Sequence, residues 1–486
     1  MQNYNNQLPD QHKEIFEAEG GIQHLSSDLP LTSFNNVRLL PSTLGKMTDT
    51  PTFPLPFDER EQPILEHLMK LREELTMLKQ DRSTYIKSPD VLSLYDRVVE
   101  QVKILNEIRS NKSQEDNRVD RVLDGCFQLL SLFFMTIGRN NEAPAAYALT
   151  STIRRLLAHL KEVDFYSEKD LTHCSHTLER VRKIVKEADE AYSPYLVTLL
   201  SNRVELCQAT LTDLQKRLDR LDGDLLLIHE KLISILRSIS LANTKTKFST
   251  IEVETLQAQV KEIDELKVDG NFVTASGEIP AGNEETCELL NKCLLWSEIV
   301  LQRKGKMPSN FSTLYKNLTD IRNKLEKLSL TQAWSLRETD LYDYQRQLDK
   351  FDESRIDGNF VDADGGFADL YVQRTLLYLI RRSYAYIYFL MVSSEPVSEA
   401  LLPVYNQLQT LRRCLIEVKN SGGVGSPREL YPYSMKLNSI DNMRIEGKFL
   451  IGKDIPEGQG SVNDLLAECF ELSHALRVAA ETDGGE

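Results

Sequence analysis

The sequence predicts an all-α chain, an array of about five antiparallel three-helix units behind a disordered N-terminal arm. Three observations predict it. One apolar heptad stripe recurs along the chain at near-constant spacing, a second stripe follows it, and a third, strongly apolar stretch closes each copy.

The first stripe is clearest in Ile64, Leu68, Leu71, Leu75 and Leu78, whose steps of four, three, four and three place all of them along one side of a helix. The same steps recur from Leu149 to Val163, Ile228 to Ala242, Leu314 to Leu328 and Val404 to Val418, with starting points roughly 80 to 90 residues apart. Any bundle helix carries one such stripe, so it is the recurrence that marks a repeat. The second stripe reads Leu171, Cys174, Leu178, Val181; then Val253, Leu256, Val260, Ile263; then Leu341, Tyr344, Leu348, Phe351; then Leu430, Tyr433, Leu437, Ile440. In the first copy its counterpart is looser and lies between Tyr95 and Ile108. The third stretches, over 119–137, 194–214, 284–301, 368–392 and 462–478, include LLSLFFM and YAYIYFLM and read as the core helix of each unit.

Residues 1–60 hold Pro30, Pro41, Pro51, Pro54 and Pro56 and no sustained apolar period, which predicts a disordered arm. The units then run over 61–140, 141–222, 223–308, 309–396 and 397–480, with a tail at 481–486. Pro144, Pro308 and Pro396 break three junctions, whereas LTDLQKRLDRLDGDLLLIHEKL predicts one continuous helix from the second unit into the third. Neighbour-on-neighbour stacking of such units predicts an elongated or gently curved array.

Between the second and third helices of the last three units the chain repeats a motif: VDGNFV at Val268–Val273, IDGNFV at Ile356–Val361 and IEGKFL at Ile445–Leu450. Gly270, Gly358 and Gly447 are expected to stop the preceding helix in a left-handed conformation, with Phe272, Phe360 and Phe449 as apolar anchors. Two copies continue alike, GEIPAG at Gly277–Gly282 and KDIPEG at Lys453–Gly458, and are expected to form a small hairpin over the bundle end.

Composition narrows function. The 486 residues are 41% hydrophobic and 27% charged, and 73 acidic against 58 basic side chains give a formal net charge of −15. Such a surface repels phosphate backbones and anionic lipid heads, which argues against nucleic-acid and membrane partners. Seven scattered cysteines without C-x-x-C pairs fit a reducing compartment. The first residues show no basic start with an apolar run, so the cytoplasm is expected, with the nucleus also open. Leu370 to Val392 is long enough to span a bilayer, but Arg374, Arg381 and Arg382 would each cost about 2.5–3.5 kcal/mol near its centre. It reads instead as a buried helix.

The chemistry-bearing motifs are few. P-loop, dinucleotide, zinc-protease and nucleophile-elbow signatures are absent, so no enzyme activity and no cofactor is expected. Asp362 and Asp364 sit beside glycines but in no EF-hand register, and the His173-Cys174-Ser175-His176 run offers too few ligands for a structural metal. GGVGS at Gly422–Ser426 reads as a connector, and charge runs such as DNRVDR and KEADE read as solvated faces. Arg374, Tyr378, Arg381 and Tyr388 fall on one face of an otherwise apolar helix. Buried arginines need acidic partners or an anionic ligand, so this face is expected either to be paired with carboxylates or to be a groove for a phosphate- or carboxylate-bearing ligand.

The VDGNFV, IDGNFVDADG and IEGKFL…IPEGQG series resembles a family of fungal proteins of unknown function, over most of the chain after residue 60. The resemblance implies an all-helical protein of cytoplasm and nucleus and brings no activity or catalytic residue with it. The first two units depart from its pattern by lacking the Gly-x-Phe turn. The leading expectation is a non-enzymatic scaffold or adaptor for protein partners. The alternative is a sensor or enzyme for a small anionic ligand held at Arg374 and Arg381. A spectrin-like rod is disfavoured, because a rod needs no elaborated turn between its helices.

Overall fold

The computed structural model describes residues 54–56, 58–109, 117–188, 192–221, 223–274, 277–331 and 337–483. The arm read over 1–60 lies for the most part outside them, as does the end of the 481–486 tail.

Among the described residues the chain is all-α, its helices following one another in threes. They are α1 Gln62–Gln80, α2 Ser88–Arg109 and α3 Arg118–Thr136; α4 Ala146–Val163, α5 Glu168–Glu187 and α6 Pro194–Leu218; α7 Gly223–Asn243, α8 Thr250–Asp264 and α9 Asn283–Arg303; α10 Ser312–Thr331, α11 Leu341–Glu353 and α12 Leu370–Val392; α13 Leu402–Asn420, α14 Tyr431–Asp441 and α15 Gln459–Asp483. A two-stranded hairpin, β1 Arg444–Ile445 and β2 Lys448–Phe449, precedes α15. In each set the third helix packs on the first and second, because it carries the most apolar surface to bury. Leu68, Leu75, Leu318, Leu325, Leu408 and Leu415 of the first stripes are fully buried.

The helix starts carry their own signals. Asn117 caps α3 and Ser167 caps α5, each in a reciprocal box with an aspartate three residues on, Asp120 and Asp170. Asp369 caps α12 by accepting from the Val372 N–H at 2.9 Å. Asn117 also donates to Glu61 at 2.9 Å, and Arg121 is buried, so residues 117–121 of the DNRVDR run form a largely buried helix start and not a solvated face. The continuous helix expected between the second and third units is broken: α6 ends at Leu218, and Leu221 turns in against Gly282.

The elongated array of neighbour contacts is corrected. α12 packs on α4, α4 on α3, and α11 on α3, so the fourth set folds back onto the first and second. The reason lies in α3 and α12, which are too apolar for one partner stripe to cover; every residue from Asp124 to Ile137 is buried. One continuous apolar core runs from α1 through α12, while the fifth set has a core of its own. The two meet at the segment after α12, where Val397 and Ser398 lie between Gly138 and Gly458, both at positive φ and both without room for a Cβ. Tyr85 donating to Asp454 at 2.6 Å and Arg139 pairing with Glu457 at 2.7 Å complete the seam.

Candidate functional site

The three glycine motifs are hairpins and not helix stops. In each, the acid and the glycine both take positive φ: +50° and +84° at Asp269 and Gly270, +48° and +80° at Asp357 and Gly358, +52° and +76° at Glu446 and Gly447. The flanking residues bridge across them, Val268 with Asn271, Ile356 with Asn359 and Ile445 with Lys448. Two central residues at positive φ define the type I′ turn, whose twist matches a two-residue hairpin. The preceding helices end earlier, at Asp264, Glu353 and Asp441, capped by residues with ordinary negative φ.

Phe272, Phe360 and Phe449 point inward and are buried. Each is held by a side-chain amide that the sequence reading missed. Asn283 accepts from the Phe272 N–H at 2.8 Å, Gln373 from the Phe360 N–H at 2.9 Å and Gln459 from the Phe449 N–H at 2.9 Å. Gln373 and Gln459 also donate to the carbonyl of the same phenylalanine, at 3.2 and 2.8 Å, so the amide acts as a one-residue strand partner. Asn283, one methylene shorter, donates to the Asn271 side chain instead. The sequence signal was an amide opening the third helix, but it falls 11, 13 or 10 residues after the phenylalanine, too variable to stand out. The outward faces are apolar: Val268, Ile356 and Ile445, at equivalent positions in the three motifs, are 55%, 52% and 59% exposed.

The Arg374, Tyr378, Arg381 and Tyr388 face does not form one groove. The two arginines converge on Phe165, in the link between α4 and α5. Arg374 lies between the rings of Phe165 and Trp296, 5.5 and 5.6 Å from their centres, and its buried Nη1 has no hydrogen-bond partner. Arg381 donates to the Phe165 carbonyl at 3.4 Å. Among the described residues neither forms an ion pair. Burial pushes both guanidinium groups down to about 10, helped at Arg381 by the like charge of Arg237. The tyrosines diverge. Tyr388 donates to the His173 carbonyl at 3.1 Å beside the Thr177 hydroxyl, and Tyr378 has Arg382 and Arg322 as its nearest charges. His173 and His176 stand on α5 with Cys174 buried in the apolar stripe.

A second charged cluster, between α4, α11 and α12, is fully buried and was not anticipated. Arg155 meets Asp349 at 3.0 Å and Asp352 at 3.3 Å; His159 lies 3.2 Å from Asp352; Arg355 pairs with Asp352 at 2.7 Å and with Glu162 at 2.5 Å. Tyr384 donates to Asp349 at 2.5 Å. The cations hold the Asp352 carboxyl below the ordinary range in spite of its burial, while burial raises that of Asp349 against the pull of Arg155. A cavity of about 10 Å³ lined by Gln128, Arg155, Gln345, Asp349 and Tyr384 has room for about one water. This cluster joins the units, with His159 Nδ1 and Gln345 Oε1 left without a hydrogen-bond partner.

Asp362 does not wait for a cation. Its carboxylate accepts from the Asp364 and Gly366 N–H groups at 3.1 and 2.7 Å and from Asn310 at 2.8 Å, which makes it a turn residue. Among the described residues no three His, Cys, Asp or Glu side chains are grouped to hold a metal, and no helix is long and apolar enough to cross a membrane.

Residues 218–338 and 394–485 match a family model described as "Protein of unknown function (DUF2408)". Those segments contain the first and last of the three hairpins. The chain is 40% identical over 440 residues to a CUB1 family protein of Schizosaccharomyces pombe, an alignment that covers 89% of this chain and 95% of the relative. It is 36% identical over 502 residues to the "Cu(2+) suppressing and bleomycin sensitive protein 1" of Saccharomyces cerevisiae, covering 87% of this chain and 91% of that one. No solved structure matches.

Proposed function

The chain belongs to the CUB1 family, and we propose that it is a non-enzymatic helical scaffold that binds protein partners of the cytoplasm or nucleus through its repeated hairpins. The observation that carries this reading is the recurrence of exposed Val268, Ile356 and Ile445 at one position of three hairpins whose phenylalanines are buried and clamped. A turn that only plugged a bundle end would need the phenylalanine and not the outward aliphatic side chain. Exposed apolar residues on rigid, hydrogen-bonded loops are what a docking surface requires, since little conformational freedom is lost on binding. The net charge of −15 favours partners with basic faces.

Two further features support the same reading. All seven cysteines are free, as a reducing compartment requires. The relative from Saccharomyces cerevisiae is named for Cu(2+) suppression and bleomycin sensitivity, and neither term names a catalytic activity.

The test is affinity purification of the intact chain beside a Val268→Asp/Ile356→Asp/Ile445→Asp variant, with quantitative mass spectrometry. Partners in stoichiometric amount with the wild type and lost from a variant of unchanged melting temperature are expected. The same partners on both proteins, or none on either, would dismiss the hairpins as a docking surface.

A further inference from the structure

Several buried cations elsewhere among the described residues are paired with carboxylates, although Arg322 donates only to the Thr244 carbonyl, at 3.1 Å. Arg155 has two carboxylates, Arg355 has two, and Arg337 is held by Glu399 at 2.5 Å. Arg374 and Arg381 form no ion pair among the described residues, and the acids whose charge acts on Arg381 are committed: Asp170 to Arg237 and to Ser167, and Glu162 to Arg355. Two guanidinium groups therefore reach Phe165 with no carboxylate in pairing range among the described residues, in a chain with a surplus of acids. A charge taken out of water without a partner is costly, and mutation removes such residues readily unless something compensates them.

The contacts they do make leave their donors free. Arg374 is held by ring faces on two sides, an arrangement that fixes a guanidinium without using its N–H edges. Its Nη1 is buried and unpartnered, and Arg381 spends one long hydrogen bond on a carbonyl. Lys292 lies 5.7 Å from the same Phe165 ring and adds a third cation to the rim. Both arginines are half-buried as residues, with Nη1 of Arg374 shielded from solvent.

We propose that Arg374 and Arg381, framed by Phe165 and Trp296, bind the phosphate group of a small molecule. The charge count selects phosphate over carboxylate. Two guanidinium groups without ion-pair partners favour more than one negative charge, and a phosphate monoester carries about −1.5 to −2 at neutral pH where a single carboxylate carries one. The site stands independently of the hairpins and of the scaffold reading.

The experiment uses the full chain and inorganic phosphate as the probe, with sodium chloride at matched ionic strength as the reference. The melting temperature of the wild type rises with phosphate and not with chloride, since a ligand of the folded state alone stabilises it. In Arg374→Met/Arg381→Met the phosphate response disappears, while without phosphate this variant melts no lower than the wild type, because no ion pair has been lost. Arg381→Lys keeps the charge but not the fork, and weakens apparent phosphate affinity by roughly tenfold or more. Glycerol phosphate is titrated in parallel: tighter binding than inorganic phosphate identifies an esterified ligand, weaker binding the free ion. Equal responses to phosphate and chloride in the wild type would overturn the proposal. So would a double variant that melts far below the wild type in both salts, which would make the arginines structural.

Discussion

Replacing Arg155 with methionine removes the one cation shared by Asp349 and Asp352, which it meets at 3.0 and 3.3 Å. Asp352 keeps His159 and Arg355, but Asp349 is left with the Tyr384 hydroxyl and the weaker pull of Arg346. Breaking a buried pair by deleting one partner costs about 3–5 kcal/mol, because the other charge stays buried. That loss should appear as a lower urea midpoint followed by far-ultraviolet circular dichroism. Replacing both members should be milder: Arg155→Met/Asp349→Leu is expected to recover about 2 kcal/mol or more of the loss, a coupling measured by the four-protein cycle. The pH dependence carries a definite sign. Burial already raises the Asp349 carboxyl against the pull of Arg155. An acid with a raised folded-state value destabilises the fold above that value, and the penalty fades as pH falls through it. Removing Arg155 raises it further, so the deficit of the variant relative to wild type is greatest where Asp349 is ionised in both proteins and shrinks as pH falls. Asp352, whose carboxyl is lowered and which loses stability on acidification, is present in both proteins and largely cancels from the difference. An Arg155→Met protein within about 1 kcal/mol of wild type at neutral pH would refute the account of this cluster.

Two other predictions probe the seam and the core. Gly138→Ala and Gly270→Ala share a left-handed backbone, φ +86° and +84°, and so a common cost of about 1–2 kcal/mol. A Cβ at Gly138 would stand 2.6 Å from the Ser398 nitrogen whereas one at Gly270 meets nothing within 4 Å, so Gly138→Ala should lose a further 1–3 kcal/mol or so in urea unfolding, and equal losses would refute the tight seam. In thiol alkylation of the native protein, exposed Cys414 should react first. Cys126, Cys174 and Cys293, buried with thiols pushed up to about 12, should react only on unfolding, as intact-mass spectrometry would show; early modification of Cys126 would contradict the packing of α3 on α1.

The helices were legible because a stripe with steps of four and three has few alternatives to a buried helical face, as fully buried Leu68, Leu75, Leu408 and Leu415 show. The hairpins were half legible. Asp-Gly between aliphatic residues is a strong two-residue turn signal, but a glycine soon after a helix is also a cap, and the second reading obscured the first. Gln373 and Gln459 could not be read, since their partner is a backbone group fixed only when the hairpin folds over the helix start. The central ionic cluster was invisible for a different reason. Asp349 and Asp352 lie on α11 among Gln345, Lys350 and Glu353, and such a polar run looks like a solvated face. Only the return of the fourth set onto α4 buries it, and contacts between residues nearly two hundred positions apart leave no local trace.

That return also explains why one helix carries both kinds of buried charge. α12 contacts α4, α7 and α9 besides its own α10 and α11, so it is a meeting place for three sets of helices. On one side Tyr384 joins the cluster of Arg155 and Asp349, where cations and carboxylates alternate and the remaining cavity takes no more than about one water. On another side Arg374 and Arg381 reach Phe165 of the second set and Trp296 of the third, with no carboxylate in pairing range among the described residues. The same helix, in the same protein, thus has acids delivered to one cluster and withheld from the other. If buried arginines were here only for cohesion, the paired arrangement would serve at both places. The difference is the physical ground for assigning cohesion to Arg155 and for the proposal of ligand binding at Arg374 and Arg381.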